Sequence, residues 1–567
     1  MIGTKVCLVW HSVVSLVSGW VCPSLCAHVQ PDSSRLGTKS TVTPTLFHDT
    51  SILARPVVSS GDVVDESFPY SSDNNYGLFE KMTTTENVID LQTHTDRKPP
   101  ADTLTSLSEA CKRLGVDAFD VYGDFEILDT KQSYIRQFEA EVATHFGKQD
   151  GVYCISGGMA QSIALLINNS RKNHRSSSRS SAVRVGDNSG EDKTMSAFAC
   201  HPTSHLLLHE NNAFSELLGM EAVVVGSDSC STKGDEVNYD PQALKDNGCY
   251  GMEPIRLSHL KQLFSSSDDG SSSRIPPTYP NLKQVSSIDD ISTLILELPH
   301  REVGGKLTPW EEVEEISRTC NERGIHFHCD GARIFEASAG YGHKSVKQTA
   351  QPFESIYVSF YKGLGAISGA MLLGDSEFCA EARVWLRRMG GNLYTVLPYA
   401  ISSWGGFRKN CLIEEEVHIN GEEVYDDSVA KSLKSKLVYD NGVFENRRKK
   451  LTRVLELMRA DEKINSIVQF DPAVPETNIV HGYLRMSYDE CMAALEKVEL
   501  STGIRVLNRV RSNNNGISKE NSSCGDARNQ NFGCRFEWTM GESNSLIEDG
   551  SFVRGWNKFA QLVSEGE

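Results

Sequence analysis

A chain of 567 residues is longer than one compact domain of ordinary size, and 39% hydrophobic residues give it material for a large core. Its 57 Lys and Arg against 75 Asp and Glu leave a net charge of -18, which argues against nucleic acid or an anionic membrane surface as the main partner. Fifteen cysteines, with no CxxC pair and no Cys/His cluster at zinc spacing, signal neither a disulfide framework nor a structural metal.

The opening "MIGTKVCLVWHSVVSLVSGWVCPSLCA" combines an early lysine, an apolar run broken by His11 and small residues near Ala27, the outline of a secretory signal. An ordinary terminus fits equally well. Residues 28 to 60, rich in Ser and Thr and poor in acids, also suit a transit address. The location is therefore cytoplasmic, or organellar or secretory if residues 1–30 are a targeting segment. Residues 31–100 read as a disordered tail or arm. No later stretch is long and apolar enough to span a bilayer.

Order is expected to begin near "SLSEACKRLG". Three polar segments, 169–193, 264–277 and 511–531, read as surface insertions, and the sequons at Asn168 and Asn521 carry little weight. Between them "GVYCI" predicts a strand, "MAQSIALLI" a helix, "EAVVVG" and "STLILEL" strands, "TPWEEVEEISRTCNERG" an amphipathic helix, and "IHFHCD" and "SIYVSFY" strands. That alternation implies a parallel or mixed sheet covered on both faces. A long helix over about 427–462 then leads to a smaller unit, with strands at "TNIVHGYLR", "GIRVL" and "CRFEWTM" and helices near 487–501 and 550–563. The division is a large α/β domain over 101–425 and a smaller C-terminal α/β domain over 426–567 that includes the connecting helix.

Four places at strand ends carry chemistry-bearing residues. In "YCISGGMAQ" a strand runs into Gly157 and Gly158 and then a helix, so backbone N–H groups can face an anion such as phosphate; a plain turn is the alternative. In "IHFHCDGARIFEA" Asp330 ends an apolar run and needs a cation or several donors, and a turn-fixing salt bridge to Arg333 would also serve. In "VSFYKGLGAISG" Lys362 follows a β-prone run, 32 residues after Asp330. A partly buried lysine loses proton affinity and its neutral amine attacks carbonyls, whereas a lysine reaching solvent along its stem does neither. In "HPTSHLLLHENN" His205 can lie on an aromatic ring or simply be packed. Together they meet the needs of pyridoxal 5'-phosphate: an amine for its aldehyde, a carboxylate for its pyridine nitrogen, donors for its phosphate and a flat partner for its ring.

The ordered series "DVYGD", "GKQDGVYCISGGMAQ", "HPTSHLLLHE", "LILELPHREVGGKLTPWEEV", "HFHCDGARIFEA", "SFYKGLG", "EARVWLRRMGG" and "RFEWTMGES" resembles the aromatic amino acid β-eliminating lyase/threonine aldolase family of fold-type I pyridoxal-phosphate enzymes. The resemblance implies a large cofactor domain with a mainly parallel sheet, a smaller C-terminal α/β domain, and a homodimer or homotetramer. It assigns Lys362 to the lysine that binds the cofactor's aldehyde, Asp330 to the pyridine nitrogen, His205 to the ring, and Gly157 with Gly158 to the phosphate. It places Arg333 beside the substrate carboxylate and cofactor hydroxyl, His300 near the substrate hydroxyl, and Arg535 on the carboxylate. Three departures stand out. Gly158 replaces a threonine, Tyr394 replaces an arginine, and the Ser-Asp-Thr segment of the family's N-terminal arm has no evident match.

The function expected is retro-aldol cleavage of a β-hydroxy-α-amino acid to glycine and an aldehyde, with His205 or His300 accepting the hydroxyl proton. A β-eliminating lyase acting on another amino acid, and a non-catalytic homologue that only binds the cofactor, are the alternatives.

Overall fold

The computed structural model describes residues 88–95, 98–120, 133–180, 197–226, 244, 248–265, 278–279, 288–342, 344–416, 435–513 and 532–565. The segment 1–30, most of the arm, residues 121–124 of "DVYGD", Asn521, and 181–193, 266–277 and 514–531 of the polar segments lie outside the described residues.

Strand β1 (Ile89–Asp90) comes first, within the arm. The large sheet is made of β2 (Asp150–Cys154), β3 (Ala197–Cys200), β4 (Glu221–Val224), β5 (Thr278–Tyr279), β6 (Ile291–Glu297), β7 (His326–Gly331), β8 (Ser355–Ser359) and β9 (Ala370–Gly374). Their order is β2-β9-β8-β7-β6-β3-β4-β5. The pairs from β8 to β4 are parallel, while β9 runs against β2 and β8, and β5 against β4. This is the mainly parallel α/β sheet that the alternation of elements predicts. β8 and β9 are buried at every residue, as a sheet covered on both faces requires. The helix Trp310–Arg323 covers part of it with Val313, Ile316 and Cys320, its apolar positions at helical spacing. Gly324, at φ 64, then takes the left-handed conformation that turns the chain back into β7.

β10 (Leu412–Glu416) and β11 (Ser435–Tyr439) form an antiparallel ribbon. Beyond it, β12 (Val468–Asp471), β13 (Ile479–Leu484), β15 (Arg511–Ser512) and β16 (Cys534–Thr539) make an antiparallel sheet in the order β12-β13-β16-β15. β14 (Ile504–Arg505) pairs instead with β1, in parallel. This second sheet has its own core, in which Phe470, Phe536 and Trp538 meet Phe552 and Trp556 of the helix Asp549–Ser564.

Three expectations need correction. Of the helix expected over 427–462, residues 427–434 lie outside the described residues, "SKLVY" at 435–439 pairs as β11 instead, and the helix runs from Gly442 to Ala460 after "DNG" at 440–442 breaks the chain. The first polar segment is helical as far as Ser180: the helix starting at Gly157 continues through 169–180, where neither Pro nor a further Gly stops it. Order begins before "SLSEACKRLG", at β1 and at a helix from Pro100. In keeping with the little weight its sequon carries, Asn168 is buried within its helix and cannot present a glycan.

Candidate active site

The six co-directional strands of the large sheet bring their carboxyl ends to one edge, where ligands of such sheets collect. β6 and β7 pair so that Glu297 stands directly beside Asp330. β8 ends at Ser359, three residues before Lys362, and β2 ends just before the glycine turn. β3 leads into His201, Thr203 and His205.

Asp330 is 3% exposed, and its carboxylate accepts the Ala332 N–H at 3.1 Å. Burial and the neighbouring Glu297 raise its proton affinity, while Lys362 and His205 oppose the rise. The amine of Lys362 is pulled down from 10.5 to about 8, first by burial and next by the Arg333 charge, against the pull of Asp330 and Glu297. At pH 7 about a tenth of such an amine is neutral. Arg333 caps the helix Ile334–Gly340 instead of bridging to Asp330, and its nearest carboxylate is Glu537, at 3.9 Å.

His205 opens a short helix and its Nε2 hydrogen-bonds to the Glu210 carboxylate at 3.0 Å, its ring 4.9 Å from that of His209. His300 is 1% exposed; its Nε2 meets the Thr203 hydroxyl at 2.8 Å, and its buried Nδ1 has no partner among the described residues. Arg535 lies on β16, where it donates to Asn513 at 2.5 Å. Burial and Arg511 lower its proton affinity, and its further electrostatic neighbours are Tyr483, Cys249 and Glu302. Lys362, Asp330, Arg333 and His205 are thus electrostatically coupled, and Arg535 joins the same region through Glu302 and His481.

Several residues of the site carry no isolated signal in the sequence. Glu297 ends "STLILE" as Asp330 ends its own run, and only the register of β6 against β7 couples them. Glu537 shares a face of β16 with Arg535, opposite Phe536 and Trp538 in the core. His94, in the arm, is drawn down to about 4, chiefly by burial, with Glu537, Arg333, Arg509 and Arg301 as its charged surroundings. The polar run Gln92–Thr93–His94 directly after the apolar "VIDL" was the one clue to it.

The residues fit pyridoxal phosphate. A Cβ at Gly157 would collide with the buried Tyr357 hydroxyl, so the turn stays bare and its helix N-terminus open to an anion. A Cβ at Gly158 would come within 2.6 Å of Glu210, which accounts for the missing threonine. At the same edge Glu297 Oε2 is buried without a hydrogen-bond partner among the described residues, 3.9 Å from His300 Nε2. Among the described residues no cluster of side chains suits a metal ion, and no helix is long and apolar enough to cross a membrane.

Comparison with known proteins points the same way. The chain is 25% identical over 336 residues to the "Probable low-specificity L-threonine aldolase 2" of Arabidopsis thaliana, a match covering 59% of this chain and 74% of that protein. It is 26% identical over 304 residues to the low specificity L-threonine aldolase of Saccharomyces cerevisiae, covering 54% of this chain and 59% of the yeast protein. The crystal structure of a "putative L-allo-threonine aldolase" of Listeria monocytogenes superposes with a TM-score of 0.57 at 26% identity, over 84% of this chain and 96% of that one. A family model described as beta-eliminating lyase matches residues 102–400, the stretch that holds Gly157, His205, Asp330 and Lys362. On that match, and with the fold-type I architecture around it, the chain belongs to the beta-eliminating lyase family of pyridoxal-phosphate-dependent lyases, which includes the threonine aldolases.

Proposed function

We propose that this lyase binds pyridoxal 5'-phosphate at Lys362 and cleaves a β-hydroxy-α-amino acid to glycine and an aldehyde. The observation that carries the reading is the grouping of Lys362 and His205 around the buried Asp330, on which both of their charges act. When bound, the cofactor supplies the electron sink that accepts the pair released as the Cα–Cβ bond breaks. Asp330 would face its ring nitrogen, His205 its ring, and the N–H groups of Gly157 and Gly158 its phosphate. Arg333, whose guanidinium hydrogen-bonds to none of the described residues, would hold the substrate carboxylate together with Arg535. The β-hydroxyl proton would pass to His205, whose Nε2 is held by Glu210, or to His300, whose Nδ1 has no hydrogen-bond partner among the described residues.

One observation favours a second reading. An amine held near pH 8 is a competent base for a Cα proton, which would lead to β-elimination and a keto acid with ammonia. Incubation of the loaded enzyme with threonine, allo-threonine and phenylserine, with assay of glycine and ammonia, separates the two. Glycine with an aldehyde supports aldol cleavage; a keto acid with ammonia overturns it. Lys362→Ala should abolish turnover under either reading.

We also propose a homodimer or homotetramer. Tyr361, Ile367, Tyr394 and Tyr399 are exposed on the stretch that follows β8, large side chains that a second copy of the chain would cover.

A further inference from the structure

A chain of charged contacts runs beside the proposed substrate site. His209 meets Glu302 at 2.9 Å, Glu302 meets Arg301 at 2.8 Å, Arg301 meets Glu537 at 2.7 Å, and Glu537 reaches Arg333 at 3.9 Å. Glu537 arrives there because β16 alternates: Phe536 and Trp538 enter the core, so Glu537 faces away from it, toward Arg301 and Arg333. Its carboxylate also lies 3.9 Å from His481 Nε2 and accepts the Thr539 hydroxyl at 3.4 Å.

Charge bookkeeping gives this carboxylate a role. Arg301 is already matched by Glu302 and Glu537. If Arg333, with Arg535, takes the α-carboxylate of an amino acid, every cation in this series of contacts is already matched. His94 and His481 do not fill the gap, since burial holds both largely neutral. A distal carboxylate would face Glu537 with like charge in a half-buried setting, where salt screens little. A distal ammonium, or a hydroxyl or amide N–H, would find an acceptor.

We propose that Glu537 determines specificity at this site: its carboxylate, fixed between Arg301 and Arg333, rejects amino acids with an acidic side chain and favours those ending in a cation or a hydrogen-bond donor. The inference rests on Arg333 being the cation that receives the substrate carboxylate.

The test measures binding without turnover. Full-length protein loaded with pyridoxal phosphate is titrated with glycine, glutamate and 2,4-diaminobutyrate, the last two similar in reach and opposite in charge, while the visible absorption of the cofactor is followed. The wild type should bind diaminobutyrate at least about tenfold more tightly than glutamate, and Glu537→Gln should shrink that ratio about tenfold. Glu537→Asp, which keeps the charge, should keep the ranking. An unchanged ratio in a Glu537→Gln protein that still responds to glycine overturns the inference alone. So does a Glu537→Asp protein that loses the ranking as fully as Glu537→Gln. Absence of any response to glycine in the wild type overturns the amino-acid site itself, and the inference with it.

Discussion

Replacing Lys362 by Met should make the cofactor-free protein more stable, and the gain should depend on pH. The amine falls from 10.5 to about 8 on folding, and at about 1.4 kcal/mol per unit that amounts to about 3 kcal/mol of strain in the native state. Between pH 8 and 10.5 the unfolded chain binds more protons than the folded one, so wild-type stability rises with pH across that window and the full penalty is present below it. Thermal unfolding of the two apo-proteins should therefore differ by on the order of 5 °C at pH 7 in favour of Lys362→Met. By pH 9.5 about 2 kcal/mol of the advantage should be gone. Other groups titrate alike in both proteins and cancel in the difference. A gap that stays constant from pH 7 to 9.5, or a wild type that is the more stable at pH 7, would refute the buried-amine argument.

Gly157→Ala should cost about 1–3 kcal/mol, because the added methyl meets the hydroxyl of a buried Tyr357, and Tyr357→Phe should recover part of that loss in the double variant, read by denaturant melts. His328 is held neutral down to about pH 3, chiefly by burial, between the Ser355 hydroxyl at 2.7 Å and Gln161 at 2.9 Å. The unfolded chain takes up that proton near pH 6.5, so stability should fall by up to about 1.4 kcal/mol per unit as pH drops from 6.5 toward 3. His328→Gln should flatten that acid limb in unfolding curves taken at a series of pH values. Asp330→Asn should leave the fold intact by circular dichroism while abolishing turnover by the loaded enzyme; retained turnover would remove Asp330 from the site.

The fold was legible where a strand or helix carries its own pattern. "IHFHCD" and "SIYVS" are short, β-prone runs that the structure buries almost throughout, and the Val313–Ile316–Cys320 stripe reports burial on a helical period. It failed where pairing with a distant segment decided the outcome. "SKLVY" is too short to show a strand until Leu412–Glu416 lies beside it, and the polar run after Asn168 is helical because the apolar turns before it nucleate the helix. The site divides in the same way. Lys362, Asp330 and the glycine turn sit at breaks between elements, where a charged or bare residue is conspicuous. Glu297, Arg301, Glu537 and His94 become site residues only through register and packing across hundreds of residues, and no local motif records that.

The two-residue pairing of β1 with β14 sets a limit on maturation. Leu91, next to it, is fully buried in the core of the second sheet, and Gln92 donates to the Glu537 backbone carbonyl at 2.9 Å. A peptidase that trims the chain past Leu91 and Gln92 would take a side chain out of that core and a support from the strand that bears Arg535 and Glu537. Cleavage even a few residues further on would loosen the small sheet and the charged wall of the pocket together, so the amino terminus of the working enzyme is bounded by packing as well as by any sorting signal upstream.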